Sequence, residues 1–397
     1  GGVTGCIIAR DAAARGHTCA ILERTSAVGG VWAINDYPGL RLHAPAGPYR
    51  CFSLAPPWQC QGEGASNKLY RPTQSEVLHY VREMSAHERI EVRTSTAYRA
   101  HSEGPHGYRV VCDSGSLTCR VVVFCTGSSE TLSGSPSLPV DTSAITNGAF
   151  VVHSSQFGPQ RAQFLQGSTQ WVVGASKAGM DILNSLEPEG ADGKRVVWVH
   201  RGHLCFLNRE ALELRTHTDL STALQAPHLA KQQLFAEHAE SLIESGLAFR
   251  VGSPHCKEPG YRGGVEERRS IEHARRFLRH QVHLSHAQVE GGVLQLVCVD
   301  GTTLAVAKED SVCFATGQRL GRGAEQYSLS ADNNRGGLFQ VLPFSVNVAA
   351  SAAYTTSMLL NYLEGGSSCY TDGVLSSKLR EAAEHMAALS DRSDWAL

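Results

Sequence analysis

Two glycine-started turns, each ahead of a helical pattern, are the residues of this chain best suited to chemistry. The first is Gly1-Gly2-Val3-Thr4-Gly5, and the next apolar run after its helix ends at Glu23. The second is Gly174-Ala175-Ser176-Lys177-Ala178-Gly179, and its following apolar run ends at Arg201. Glycines at such a turn let the backbone approach a pyrophosphate, and the helix N-terminus offers it N–H groups. Gly2 and Gly5 take the second and third places of a G-x-G-x-x-G fingerprint whose first glycine would precede Gly1. Glu23 stands 18 residues after Gly5, where a carboxylate accepts ribose hydroxyls. Arg201 stands 22 residues after Gly179, where a cation favours a 2′-phosphate and an acid would repel it. Two nucleotide sites of opposite charge preference imply one bound flavin and one exchangeable NADPH, with hydride passing between them.

The elements that position these turns are legible as periodicities. Residues 5–15 have helical spacing, Gly16-His17 turns the chain, and 18–22 is a short buried strand, while the strand that should precede the first turn is not in the sequence. Residues 36–72 are rich in Pro, Gly and aromatics and read as an excursion across a ligand. A helix is expected over 73–86, capped by Thr73 with Glu76 three residues on. Strands follow near 90–98, 107–113 and 118–125, the last ending at Thr126-Gly127. The second block gives a strand at 170–173, a helix at 176–186 and a strand at 196–200. Residues 205–280 read as a mostly helical, polar insertion. Strands return over 281–299 and 303–314 and end at Thr316-Gly317, and helices close the chain near 346–363 and 373–390. The expected fold is α/β with two Rossmann-like dinucleotide-binding domains: an FAD domain over 1–155 and 300–397, lacking its first strand, and an NADPH domain inserted over 156–299.

Glu23-Arg24 is followed by Gly29-Gly30-Val31-Trp32, then by Tyr37-Pro38-Gly39 and Phe52-Ser53. With the first fingerprint and the two Thr-Gly strand endings, this resembles the flavin-containing monooxygenases, the class B flavoprotein monooxygenases. The resemblance covers most of the chain and is weakest across 205–280. It implies tightly bound, non-covalent FAD at Gly2, Gly5, Glu23, Arg24, Gly29, Gly30, Val31 and Trp32, with Thr126, Gly127 and Gly317 at the strand ends. It also implies that Ala97 contacts the adenine through its backbone. NADPH would lie at Gly174, Ser176, Lys177, Gly179 and Arg201. This second fingerprint departs from the family form G-x-G-x-S-G/A: Ser176 replaces the middle glycine and Ala178 the serine. The Ser176 hydroxyl could bond a phosphate, and Lys177 adds a positive charge beside it.

The segment Asn147–Phe157 matches the second half of the family's F-x-G-x-x-x-H-x-x-x-Y/F linker through His153 and Phe157. His153 positions NADP, transmits domain motion or is a buried structural histidine. The resemblance implies insertion of one atom of O2 into a small molecule, at nitrogen, sulfur or a related centre, by way of a C4a-(hydro)peroxyflavin. No side-chain nucleophile is required; His43, Phe52, Ser53 and Asn347 are candidates for the flavin's reactive face. Two alternatives stay open: a flavin reductase or dehydrogenase that inserts no oxygen, and a nucleotide-binding pseudoenzyme.

Composition bounds the rest. A net charge of −2 with 42% hydrophobic residues gives no polyanion-binding surface, hence no nucleic-acid partner. The basic cluster at 262–280 is interleaved with Glu258, Glu266, Glu267 and Glu272 and reads as a solvated helix face. Twelve cysteines include no Cys-x-x-Cys pair, so neither a zinc site nor a dithiol centre is expected, and the cytoplasm is the expected compartment. The chain begins with Gly, leaving a targeting segment ahead of it open. The uncharged stretch 340–363 contains too many Ser, Thr and Asn for a membrane span.

Overall fold

The computed structural model describes residues 1–42, 51, 53–60, 70–126, 138–187, 195–200, 204–210, 240–251, 260–277, 282–316 and 338–340. Two compact units emerge: the first from Gly1–Ile34, Pro45–Gly134 and Arg319–Trp395, the second from Asn35–Ala44, Ser135–Gln318 and Ala396–Leu397.

In the first unit, α1 (Val3–Ala14) leads to β1 (Cys19–Leu22), α2 (Val31–Ile34), α3 (Gln74–Ser85) and β2 (Ile90–Arg93). β1 and β2 pair in parallel, making a crossover through α3. Thr73 caps α3 as expected: its hydroxyl accepts from the Glu76 N–H, and the Glu76 carboxylate accepts from the Thr73 N–H at 2.7 Å. β3 (Tyr98–Gly104), β4 (Gly107–Cys112) and β5 (Gly115–Cys119) form an antiparallel meander. Their strand patterns leave one face largely exposed, which antiparallel sheets tolerate. β6 (Val122–Phe124) pairs in parallel with the distant β17 (Leu338–Gln340).

The second unit is built on β7 (Phe150–His153), α4 (Phe157–Phe164), β8 (Thr169–Val173), α5 (Lys177–Asn184) and β9 (Arg195–His200). β10 (Leu204–Asn208), β11 (Ala248–Val251), β12 (Gly260–Glu266) and α6 (Arg268–Arg275) follow. β13 (Val282–Glu290), β14 (Val293–Cys298), β15 (Thr303–Ala305) and β16 (Ser311–Phe314) complete it. The main sheet has the order β15-β14-β13-β9-β8-β16-β7, parallel from β13 through β7. Both faces of its parallel part are buried, which explains the continuous apolar runs. Val172, Val196, Trp198 and Cys313 face Phe157, Phe164, Met180 and Ile271 of the helices. Trp171, Val173, Val197, Val199 and Phe314 face the opposite core with Leu284, Leu294 and Leu296. Asp310 fixes the start of β8 by accepting from the Thr169 N–H at 3.0 Å and the Trp171 indole at 3.1 Å.

The described part of 205–280 holds the three-stranded sheet β11-β10-β12 and α6. β7 and β16 belong to the second unit, where β16 pairs with both β7 and β8. No helix among the described residues is long and apolar enough to cross a membrane. The expected helices at 346–363 and 373–390 lie outside the described residues.

Candidate functional site

The first glycine turn opens α1. Gly2 is the N-cap, with no side-chain cap and no acidic residue in the first turn. Its N–H groups therefore face the turn with nothing from the helix's own side chains to satisfy them. The Gly29-Gly30 turn lies against it: the Gly29 N–H donates to the Gly1 carbonyl at 2.8 Å. Gly30 has φ +55°, and a Cβ there would stand 3.0 Å from the Gly2 Cα. Gly29 has φ +135°, and its Cβ would meet Leu78 at 2.5 Å. Backbone thus meets backbone, and the helix end stays open to a large anion. Val31 starts α2 half-exposed and Trp32 is buried, its carbonyl accepting from the Gln74 amide at 2.9 Å.

Glu23 ends β1 beside this turn and is buried. Thr25 supplies an N–H at 2.8 Å and a hydroxyl at 2.9 Å to one carboxylate oxygen, and the other faces the Gly1 amine at 3.1 Å. Burial raises its pKa, and the Thr25 N–H and hydroxyl, which favour the ionised form, work against that. Ala97 differs from expectation: its N–H donates to the Asp113 carboxylate at 3.2 Å and its carbonyl accepts from the Asp113 N–H at 3.1 Å. Only the carbonyl's second lone pair remains for an adenine. Gly5 packs close to Cys125, which follows β6, and Thr126 is exposed.

The second turn sits at the end of β8. Gly174 has φ +116°, and a Cβ would come within 2.4 Å of the Ala315 carbonyl oxygen. A Cβ on Gly179 would meet the Gly174 oxygen at 2.7 Å. The Trp198 indole donates to the same Gly174 oxygen at 2.9 Å, fixing the peptide plane. Ser176 caps α5, but its hydroxyl donates to the Ala315 carbonyl at 2.7 Å and accepts from the Gly179 N–H. Its one proton goes to the Ala315 carbonyl, and its oxygen caps the helix.

The Lys177 ammonium pairs with Asp181 one turn along α5 and with Glu266 at the end of β12, 3.0 Å away. The Lys177 side chain is 16% exposed and Glu266 is 1% exposed. Desolvation lowers the lysine's pKa, but the two carboxylates outweigh it and the net direction is upward. The same pairing corrects the reading of Glu266 as part of a solvated face. Tyr37 lies in the adjoining core, its phenol pushed up by burial, then by Asp181 and Glu266.

His153 is buried, and its Nδ1 accepts from the Ser155 N–H at 3.1 Å. Desolvation depresses its pKa to about 4. Its ring caps the turn after β7. Ser53, a reactive-face candidate, gives both its N–H and its hydroxyl to Asp11, at 2.9 and 2.7 Å. Asp11 was not singled out from sequence; a buried acid on an apolar helix face was the available signal. His43, Phe52, Gly127, Arg201, Gly317 and Asn347 lie outside the described residues. Among the described residues no His/Cys/Asp/Glu cluster could hold a metal, and nine cysteines, from Cys6 to Cys313, are free.

The sequence matches no family model and no curated protein. The fold does have solved counterparts. An open cyclohexanone monooxygenase structure superposes with TM-score 0.59 at 15% identity, covering 98% of this chain and 91% of the other. A structure of OTEMO in complex with FAD and NADP gives 0.55 at 16% identity, over 98% and 90%. A flavin-containing monooxygenase from Stenotrophomonas maltophilia gives 0.52 at 16% identity, over 98% and 97%. At these identities the likeness is one of fold: a mixed α/β fold with parallel sheets, that of the two-dinucleotide-domain monooxygenases.

Proposed function

We propose that the chain is an NADPH-dependent flavoprotein monooxygenase with non-covalent FAD. The observation that carries the reading is the contact of Gly2 with Gly30 at an uncapped helix end beside the fixed Glu23 carboxylate. Those residues fit a dinucleotide: two glycines that exclude a side chain, N–H groups aimed at a pyrophosphate, and a carboxylate acceptor for ribose hydroxyls. OTEMO, which binds FAD and NADP, supports the choice of ligands.

Bound FAD would supply the redox chemistry, taking hydride from NADPH and activating O2. The net reaction is NADPH, a proton, O2 and substrate giving NADP⁺, water and an oxygenated product at nitrogen, sulfur or a related centre. In the first unit the backbone N–H groups of α1 hold the pyrophosphate and Glu23 orients the ribose. In the second, Gly174 and Gly179 keep the turn tight enough for backbone approach, and Ser176 holds α5 in place by capping it. Lys177 maintains the turn's architecture through Asp181 and Glu266. Selection for the 2′-phosphate falls to Arg201.

The test is turnover under ¹⁸O2 with FAD-loaded protein and a panel of amines, sulfides and ketones. One labelled oxygen per product and one NADPH consumed is the expected result. NADPH oxidation with no labelled product across the panel refutes oxygen insertion in favour of a reductase. Protein that stays colourless after incubation with FAD refutes both.

A further inference from the structure

In the first unit, α1 and α3 each present a buried polar side chain to Cys51, Ser53 or Leu54. Asp11 on α1 is 4% exposed. One of its oxygens accepts from the Cys51 thiol at 3.0 Å, the Ser53 N–H at 2.9 Å and the Ser53 hydroxyl at 2.7 Å. Tyr80 on α3 is fully buried. Its hydroxyl accepts from the Cys51 N–H at 2.9 Å and donates to the Leu54 carbonyl at 2.7 Å. The Trp58 ring packs edge-on to Tyr80 at 5.1 Å, holding the phenol in place. Cys51, Ser53 and Leu54 lie in no helix or strand, and these two side chains supply partners for their backbone groups. Burying a carboxylate and a phenol costs desolvation that only such hydrogen bonds offset.

We infer that Asp11 and Tyr80 form a two-helix clamp that holds Cys51, Ser53 and Leu54 and thereby sets where Ser53, a reactive-face candidate, lies. Asp11 is then a positioning residue for the flavin site, acting through Ser53 and Cys51. This role rests on the proposed function; the clamp itself does not. Each jaw grips a residue that the other also touches or neighbours, so the clamp is cooperative. Loss of one jaw frees the amide bonded to the other.

Residue-resolved amide hydrogen exchange on flavin-free protein tests this. In Asp11→Ala the Cys51 N–H, which is bonded to Tyr80, should lose protection roughly ten- to hundredfold, the scale of a hydrogen bond to a carboxylate. In Tyr80→Phe the Ser53 N–H, bonded to Asp11, should lose protection in the same way. The near-isosteric Tyr80→Phe keeps the test decisive where Asp11→Ala fails to fold. A variant that exposes only the amide it contacts directly overturns the clamp. With FAD bound, the visible circular dichroism of Tyr80→Phe and Asp11→Ala should depart from wild type; spectra identical to wild type overturn the positioning role. Wild-type protein that takes up no FAD removes the flavin reading and the positioning role together, while the exchange result still decides the clamp.

Discussion

Replacing Lys177 with methionine separates two readings of the second glycine turn. If the ammonium served a phosphate, its removal would weaken NADPH binding and leave folding alone. The structure places it between Asp181 and Glu266, both buried. Removing one member of a buried ion pair leaves uncompensated charge and costs about 3–5 kcal/mol. Asp181 and Glu266 each hold a further interaction, which puts the expected loss at the lower end, about 3 kcal/mol. For a unit of this size that lowers the midpoint by roughly 6–12 °C. The sign with pH follows from the shifts. Lys177 has a raised folded pKa, so its contribution is present below the ordinary lysine value and lost as pH rises through the folded one. In Lys177→Met the bare carboxylates are expected to be raised instead, so the deficit is full at neutral pH and shrinks as pH falls into the carboxylate range. Lys177→Met combined with Glu266→Gln should regain part of the loss. Calorimetry across pH, with NADPH titration by fluorescence, is the assay. A variant that unfolds with the wild type at pH 7 yet binds NADPH ten times more weakly refutes the buried-triad account.

Gly30→Ala should lose FAD, because its positive φ and the approach to Gly2 leave no room for a Cβ; Gly174→Ala, whose Cβ would strike the Ala315 carbonyl, should instead lose NADPH. Dialysis retention of FAD and coenzyme titration check the pair, and identical defects in both variants would count against two separate turns. His153 predicts acid sensitivity. Its folded pKa lies near 4, below the ordinary histidine value of about 6.5, so the unfolded chain binds the extra proton and stability falls as pH drops between those values. His153→Gln should flatten that part of the pH–stability curve; an unchanged slope assigns it to other groups.

Much of this was readable from short-range patterns. The Thr73–Glu76 cap, the helix opening at Ser176 and the strands on either side of it are set by neighbours three or four residues apart, and sequence displays such relations directly. The direction of Lys177 was not readable, because its second partner, Glu266, is distant in sequence and reaches it only after β12 has paired with β10. The sheet within 205–280 was hidden for a related reason. β10 and β11 are four or five residues each, too short for periodicity to distinguish strand from helix, and β12 joins with a register shift. Asp11 carries no motif; its role exists only because α1 meets Cys51 and Ser53. Tyr37, read with an excursion across a ligand, instead joins the core of the second unit with Phe157 and Met180.

The position of β16 between β8 and β7 governs how the protein can be made. Synthesis delivers β7 and β8 early, yet neither bonds the other; the strand that joins them leaves the ribosome only when residue 314 has been translated. Until then the nascent chain carries two bare strand margins rich in valine, which invite pairing with other chains. A product terminated before Ser311 would therefore lack a central plank rather than an edge, and shortened versions of this polypeptide should collect in the insoluble fraction.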